Sequence, residues 1–435
     1  MKISVLILLT VLTGSTLAAI PPNVEEFTLS NGIPVITRTI DNNDIEGFSL
    51  FLIGGSRALT EETQGLERFA LECAIMGSTK YPGPAWRELM DKTQAEWTSS
   101  FNYDFSRYHL RCAKDDLEVL LSAFGDCLLN PEFSSQAVEQ VRESSIQDLQ
   151  ETYYSPDSWI WFVANDAFMP GHTYRNVPDG IEETVAGFTI DEAKVMLDER
   201  IRSGNILITH AGPTGSEELK EMLEDAFGSI PEGGQEYEPV EIFFVPFDTV
   251  VVQHRQIPTA YAVVKFNAPP QGHEDLLPFR AGLAAVDDLL WQVLRTDHAL
   301  TYATFSGTSS YQQNWGYMYV SSQQPVLACS LMAGVLADAI ENPMNADIVR
   351  GTIEKSRTLE SMKAASKDTQ CWMMGSFEIT TGDWRNAYTI FDNIEELTPE
   401  DLRIVLDKWV GNGGWGIIAD TTAIPAEQLR PWSLH

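Results

Sequence analysis

Basic side chains are scarce in this chain: 29 Lys and Arg stand against 62 Asp and Glu, for a formal charge of −33. That balance argues against nucleic acid and anionic membrane surfaces, which reward clustered Lys and Arg. An acidic surface could attract basic peptides, and solubility in a salty environment explains the charge equally well. Cysteine is scarce as well. Cys73, Cys112, Cys127, Cys329 and Cys371 are widely spaced, odd in number and free of any C-x-x-C, which excludes a disulfide framework. Cys112 and Cys127 could pair in an oxidising compartment; buried free thiols are the expectation for most of the five. The histidines (His109, His172, His210, His254, His273, His298 and His435) include no pair at ligand spacing, so no metal is expected in this chain. Ser/His/Asp arrangements and phosphate-binding Gly loops are also missing. Beyond the first nineteen residues no apolar run approaches the ~20 residues that span a bilayer.

What is present is a chain of 435 residues, 44% of them hydrophobic, enough for two or three packed domains. Residues 1–19 read as a signal peptide: Lys2 gives the positive start, Ile3 to Leu12 the apolar core, and Thr16-Leu17-Ala18-Ala19 the small-residue cleavage region. The mature protein is therefore expected to be exported and soluble, in a periplasm or outside the cell.

Phe27 to Thr37 predicts a β-hairpin, with Asn31-Gly32 supplying the positive φ angles of a tight turn. A strand at Phe48–Ile53 stops at Gly54-Gly55, and a helix from about Thr63 to Met76 stops at Gly77. Further helices are expected at Trp86–Thr93, Leu117–Leu129, Ser134–Gln150 and Ser216–Phe227, with strands at Tyr103–Cys112 and Asn205–His210. Residues 231–239, polar, Gly-rich and bracketed by Pro231 and Pro239, predict a linker. The order of elements then repeats: strands at 242–253 and 259–266, a helix over Pro278–Arg295, strands at 300–309 and 315–322, helices at 325–341 and 345–365, and a closing strand from Trp415 to Ala419. That repetition suggests an internal duplication. It predicts an α+β fold of two tandem homologous domains, 22–230 and 240–425, each a mostly antiparallel sheet packed with helices.

The segment Gly65-Leu66-Glu67-Arg68-Phe69-Ala70-Leu71-Glu72-Cys73-Ala74-Ile75-Met76-Gly77-Ser78-Thr79 resembles the inverted zinc motif of the M16 peptidases. The F-x-L-x-N-G opening, Gly55-Ser56-Arg57 and Phe227-Gly228-Ser229-Ile230-Pro231 fall in the same order and spacing as in that family, so the resemblance covers roughly residues 22–425. Active members read G-L-x-H-x-x-E-H here: two His at i and i+4 grip zinc and the Glu activates water. In this chain the three slots hold Arg68, Leu71 and Glu72. A guanidinium cannot ligate a cation and Leu cannot take a proton. The family's third ligand, a Glu on a later helix, falls on Asp148, and a further Glu seven residues before it falls on Val141. The resemblance therefore implies a degenerate site that binds no zinc and cuts nothing alone. Arg68 and Glu72, one helical turn apart, can pair across the space left by the metal.

A second segment is intact. Leu294-Arg295-Thr296-Asp297-His298-Ala299-Leu300-Thr301-Tyr302 resembles the family's helix-to-strand passage in the second domain. There an Arg and a Tyr seven apart reach the opposing domain's zinc, bind substrate backbone and stabilise the oxyanion. A planar fork of N–H donors and a directional hydroxyl suit that task. Loss of zinc with retention of Arg295 and Tyr302 implies a non-catalytic subunit that pairs with a zinc-bearing M16 paralogue, zinc residing in the partner, to hydrolyse peptides. The alternative is a proteolytically inert scaffold or peptide-binding protein, like the respiratory-complex core proteins, with Arg295 a structural ion-pair partner. Trp159, Trp161 and Phe162 could line a peptide chamber, with core packing the expected role. Tyr311, Trp315, Tyr317 and Tyr319 alternate as half-buried strand residues do.

Overall fold

The computed structural model describes residues 20–243, 245–363 and 366–435; the signal peptide expected at residues 1–19 lies outside them. Strands β1 (Val24–Thr28) and β2 (Pro34–Thr39) form the expected hairpin. Its turn differs from the Asn-Gly expectation. Gly32 alone takes a left-handed φ, 95°, while Asn31 turns inward and its Nδ2 donates to the carbonyls of Phe227 and Ile230 at 2.8 and 3.1 Å. The amide thus ties the first hairpin to the end of the first half.

The first sheet also contains β3 (Ile45–Ile53), β4 (Glu96–Phe101), β5 (Phe105–Ala113) and β6 (Ile206–Gly212), in the order β1-β2-β6-β3-β5-β4. The second holds β7 (Thr249–His254), β8 (Ala260–Asn267), β9 (Thr304–Thr308), β10 (Trp315–Ser322) and β11 (Gly414–Ala419), in the order β7-β11-β8-β10-β9. With β1 set aside, the two orders coincide strand for strand. Each sheet has one parallel pair, β2 with β6 and β7 with β11, and is otherwise antiparallel. Topology therefore carries the duplication that the element order suggests.

Alternation along the strands decides what each face meets. In β3, Phe48, Leu50 and Leu52 point into a core with Phe69, Leu71 and Phe124; in the second sheet Val264, Phe266, Met318 and Ile417 meet Leu283, Val286, Met332 and Leu336. The opposite faces are covered by exchange. Helix Pro156–Phe168, from the first half, lays Ile160, Val163 and Ala164 on Val263, Tyr319 and Ile418 of the second sheet. Helix Lys367–Thr381, from the second half, lays Met374 on Phe51, Phe105 and Leu207 of the first. Ser155 caps the first of these straps, accepting from the Ser158 N–H at 3.3 Å, with Pro156 opening the helix. The second is seated by Lys367, whose Nζ donates to the Asn43 side chain at 2.9 Å and to the Ile45 carbonyl at 2.7 Å.

Several expected elements shift. Of the strand expected at 242–253, residue 244 lies outside the described residues and residues 242, 243 and 245–248 are outside β7, while β9 starts at Thr304 instead of residue 300. The helix over Pro278–Arg295 becomes α-helix Leu276–Leu290 followed by a π-helical stretch, Trp291–Asp297. Residues 231–239 carry no helix or strand, yet they are held: Gly204 N–H donates to the Gly233 carbonyl at 2.6 Å and Gln235 N–H to Asn205 Oδ1 at 2.8 Å.

All five cysteines are buried and unpaired. Burial pushes the thiols of Cys73, Cys112, Cys127 and Cys371 up to about 12, and only the thiolate is nucleophilic. Iodoacetamide at neutral pH is expected to modify none of them in the native protein and all five in denaturant, read by intact mass; rapid native labelling would contradict this packing.

Candidate functional site

The motif helix, Leu66–Ala74, begins where Gly65 adopts φ 87°. That glycine meets Gly180 (φ 75°) backbone to backbone: a Cβ on Gly65 would lie 2.7 Å from Gly180 Cα. The close approach brings the neighbouring Asp179 over the helix. Leu71 and Val141 are buried in the first core, so the slot of the catalytic base is apolar packing. Arg68 and Glu72 share the outer face.

Arg68 is engaged on every side. Its Nε lies 3.1 Å from Glu72 Oε1, Nη1 2.7 Å from Asp179 Oδ1, and Nη2 3.1 Å from Asp148 Oδ2. The guanidinium also sits 5.8 Å over the Phe101 ring. Burial alone would lower the Arg68 pKa, but Glu72 and Asp179 hold it well above its ordinary value. Burial pushes Glu72 up, with Arg68 opposing. The sequence-level pairing of Arg68 with Glu72 is present, Asp148 joins it, and Asp179 completes it. Asp179 lay beyond sequence reasoning: Pro178-Asp179-Gly180 signals a turn and says nothing of what that turn faces.

These residues do not fit zinc. The slots provide no imidazole, and the three carboxylates already surround a cation that belongs to the chain. Among the described residues no cluster of three or more His, Cys, Asp or Glu is arranged as a metal site.

Arg295 contrasts with Arg68. It lies on the π-helical stretch, its Nη1 donating to the Tyr302 carbonyl at 3.2 Å. Its guanidinium stacks 4.1 Å over the Trp291 ring and 5.9 Å from the Tyr302 ring. No carboxylate pairs with it among the described residues, so the ion pair expected of a purely structural Arg295 is not found there. Tyr302 is 90% exposed and Trp291 45%. The connection between them turns through Ala299 at φ 51° and closes with Leu300 N–H on the Leu294 carbonyl at 2.8 Å. A non-glycine residue at that angle is uncommon, and π-helical turns recur at functional sites. Trp291, part of this stack, escaped sequence reasoning, although its i, i+4 spacing from Arg295 was available.

The fold is two tandem α+β halves, the first enclosing Arg68 among three carboxylates and the second presenting the exposed Tyr302 beside Arg295. Residues 35–171 match the family described as insulinase (peptidase family M16), and residues 187–355 the peptidase M16 inactive domain. The chain belongs to the M16 peptidase family. It is 21% identical over 407 residues to the mitochondrial-processing peptidase subunit beta of Dictyostelium discoideum, covering 89% of this chain and 86% of the relative. It is 20% identical to the mitochondrial ubiquinol-cytochrome-c reductase complex core protein I of Euglena gracilis, over 67% of this chain and 58% of the relative. Among solved structures, a protease from Helicobacter pylori superposes with a TM-score of 0.82 at 14% identity, covering 92% of this chain and 99% of the other. A peptidase M16 inactive domain from Pseudomonas fluorescens does so with a TM-score of 0.82 at 14% identity, covering 91% and 97%.

Proposed function

We propose that this chain is the zinc-free member of a two-chain M16 peptidase, closing a peptide chamber over a zinc-bearing paralogue and supplying Arg295 and Tyr302 to that partner's site. The observation that carries this reading is the contrast between two arginines. Arg68 spends its donors on three carboxylates of its own chain, whereas Arg295 is held by ring stacking and one carbonyl. Stacking orients a guanidinium while leaving N–H donors for a substrate carbonyl or a developing oxyanion. Strand β4 supports peptide holding. It is the edge of the first sheet and ends at Phe101, beneath Arg68, and an open edge can receive an extended peptide as an added strand.

The proposal includes export. Residues 1–19 carry one basic residue, Lys2, and no Arg, whereas mitochondrial presequences are Arg-rich and amphipathic. In the reconstituted complex, Arg295→Ala is expected to lower peptide turnover by at least tenfold, since losing one oxyanion donor costs about 100- to 1,000-fold. Unchanged kcat/KM would remove Arg295 from the site. A second reading, an inert scaffold, is favoured by the similarity to the Euglena gracilis core protein. Native purification with mass spectrometry and metal analysis separates the two: a stoichiometric zinc-containing M16 chain supports the first, and a zinc-free assembly the second.

A further inference from the structure

Between the two straps lies a cavity of about 610 Å³, within the ~300–1,000 Å³ range of small-molecule sites. Its walls include Trp161 and Phe162 from one strap, Trp372 from the other, and Trp315 and Tyr317 from β10; Lys265 of β8 joins them. Its rim reaches Phe101 and Asp179, beside Arg68.

Lys265 is the anomaly in this wall. It sits on a central strand, 3% exposed, where an apolar residue would pack at lower cost. Its Nζ donates to Asn165 Oδ1 and lies 4.7 Å from the Trp315 ring centre and 5.8 Å from that of Trp161. Among the described residues no carboxylate pairs with it. Burial pushes its pKa down to about 7, because nothing nearby supplies a counter-charge. Nearby, the buried Thr308 hydroxyl also lines the cavity, without a hydrogen-bond partner among the described residues.

We propose that this cavity binds a monoanionic carboxylate with an aromatic or bulky apolar body, the carboxylate on Lys265 Nζ and the body against the Trp and Tyr rings. A carboxylate provides the charge the ammonium lacks, and the Thr308 hydroxyl offers a second donor. A cationic ligand is excluded, because Lys265 already occupies the ring faces where a cation would sit. A dianion is disfavoured: the other charged group on the wall is Asp179, which is negative and paired with Arg68. The same chemistry is offered by a free aromatic acid and by the C-terminal residue of a peptide. The site is independent of whether the chain pairs with a zinc-bearing partner.

Isothermal titration of the full chain with phenylpropionate and with glycyl-glycyl-phenylalanine tests the proposal, with phenylpropanol and the tripeptide amide as neutral counterparts. At least one acid is expected to bind roughly tenfold or more tightly than its neutral counterpart, the scale of a charge-assisted hydrogen bond. Lys265→Met should abolish that preference. Binding of phenylpropionate alone identifies a small free acid as the ligand class; binding of the tripeptide acid identifies a peptide C-terminus. If Lys265→Met fails to fold, reductive methylation of the native chain replaces it: the binding acid should protect Lys265 and leave the exposed Lys355 unaffected. Absence of saturable binding by both acids, equal binding of the neutral counterparts, a preference that survives Lys265→Met, or no protection of Lys265 would each overturn the proposal.

Discussion

Gly416→Val is expected to unseat the Pro156–Phe168 strap and destabilise the protein by about 3 kcal/mol, the upper end of ordinary overpacking costs. A Cβ at 416 would stand 2.5 Å from Ala164 N and 2.7 Å from Ala164 Cα. Both are helix backbone atoms, so no side-chain rotation relieves the overlap. Gly414 on the same strand meets Phe168 Cα at 2.7 Å in the same way, and the strap cannot tilt away without uncovering Ile160, Ala164 and Ile418, which are fully buried. Its remaining ties, such as Thr249 Oγ1 donating to the Ala167 carbonyl at 2.8 Å, are single hydrogen bonds of about 1 kcal/mol each. Thermal unfolding and limited proteolysis read the outcome. The midpoint should fall, and new cleavage should concentrate in residues 155–170. A variant that matches the native protein in both would show that the helix does not need this approach.

Arg200→Met should be comparably damaging for a different reason. Arg200 Nε donates to Glu67 Oε2 at 2.6 Å, and its Nη2 donates to the Ile53 carbonyl at 2.7 Å. Glu67 and Arg200 are 3% and 5% exposed. Removing one partner of a buried pair strands the other's charge, at a cost of about 3–5 kcal/mol. Since Glu67 precedes Arg68 on the motif helix, the helix should loosen as well. The double variant Glu67→Gln with Arg200→Met removes both charges and should recover much of the loss, read as the denaturant midpoint of the first half. Equal midpoints for the single and double variants would mean that the cost is lost packing around the Arg200 stem.

Glu67 and Arg200 also mark the limit of sequence reading. Glu67 lies in a helix expected from sequence, whereas Arg200 ends a helix, Ile190–Arg200, that the sequence analysis does not place; 133 residues separate the two, and no local pattern joins them. Helices Leu117–Leu129 and Ser216–Phe227 are legible to the residue, because a strong apolar stripe and a clear stop coincide. Strand β4 is not, since Glu-Trp-Thr-Ser-Ser-Phe is polar on an exposed edge and lacks alternation. The strap helices escape for the opposite reason. Trp159, Trp161 and Phe162 look like ordinary packing, and which sheet they pack on is a long-range choice. Trp161 both stacks on Tyr319, ring centres 6.2 Å apart, and lines the cavity.

The sequence by itself determined the family, the repeated order of elements and which residue types stand on the motif helix, because each is a matter of residue type at a fixed local spacing. A guanidinium cannot ligate a cation and a Leu side chain cannot take a proton wherever the helix sits. Tertiary structure alone decided the exchange of strap helices, the third carboxylate on Arg68 and the aromatic cavity around Lys265. Most of these join groups far apart in the chain. Their proximity is set by which faces the two sheets leave uncovered, and burial of those faces is a property of the whole fold.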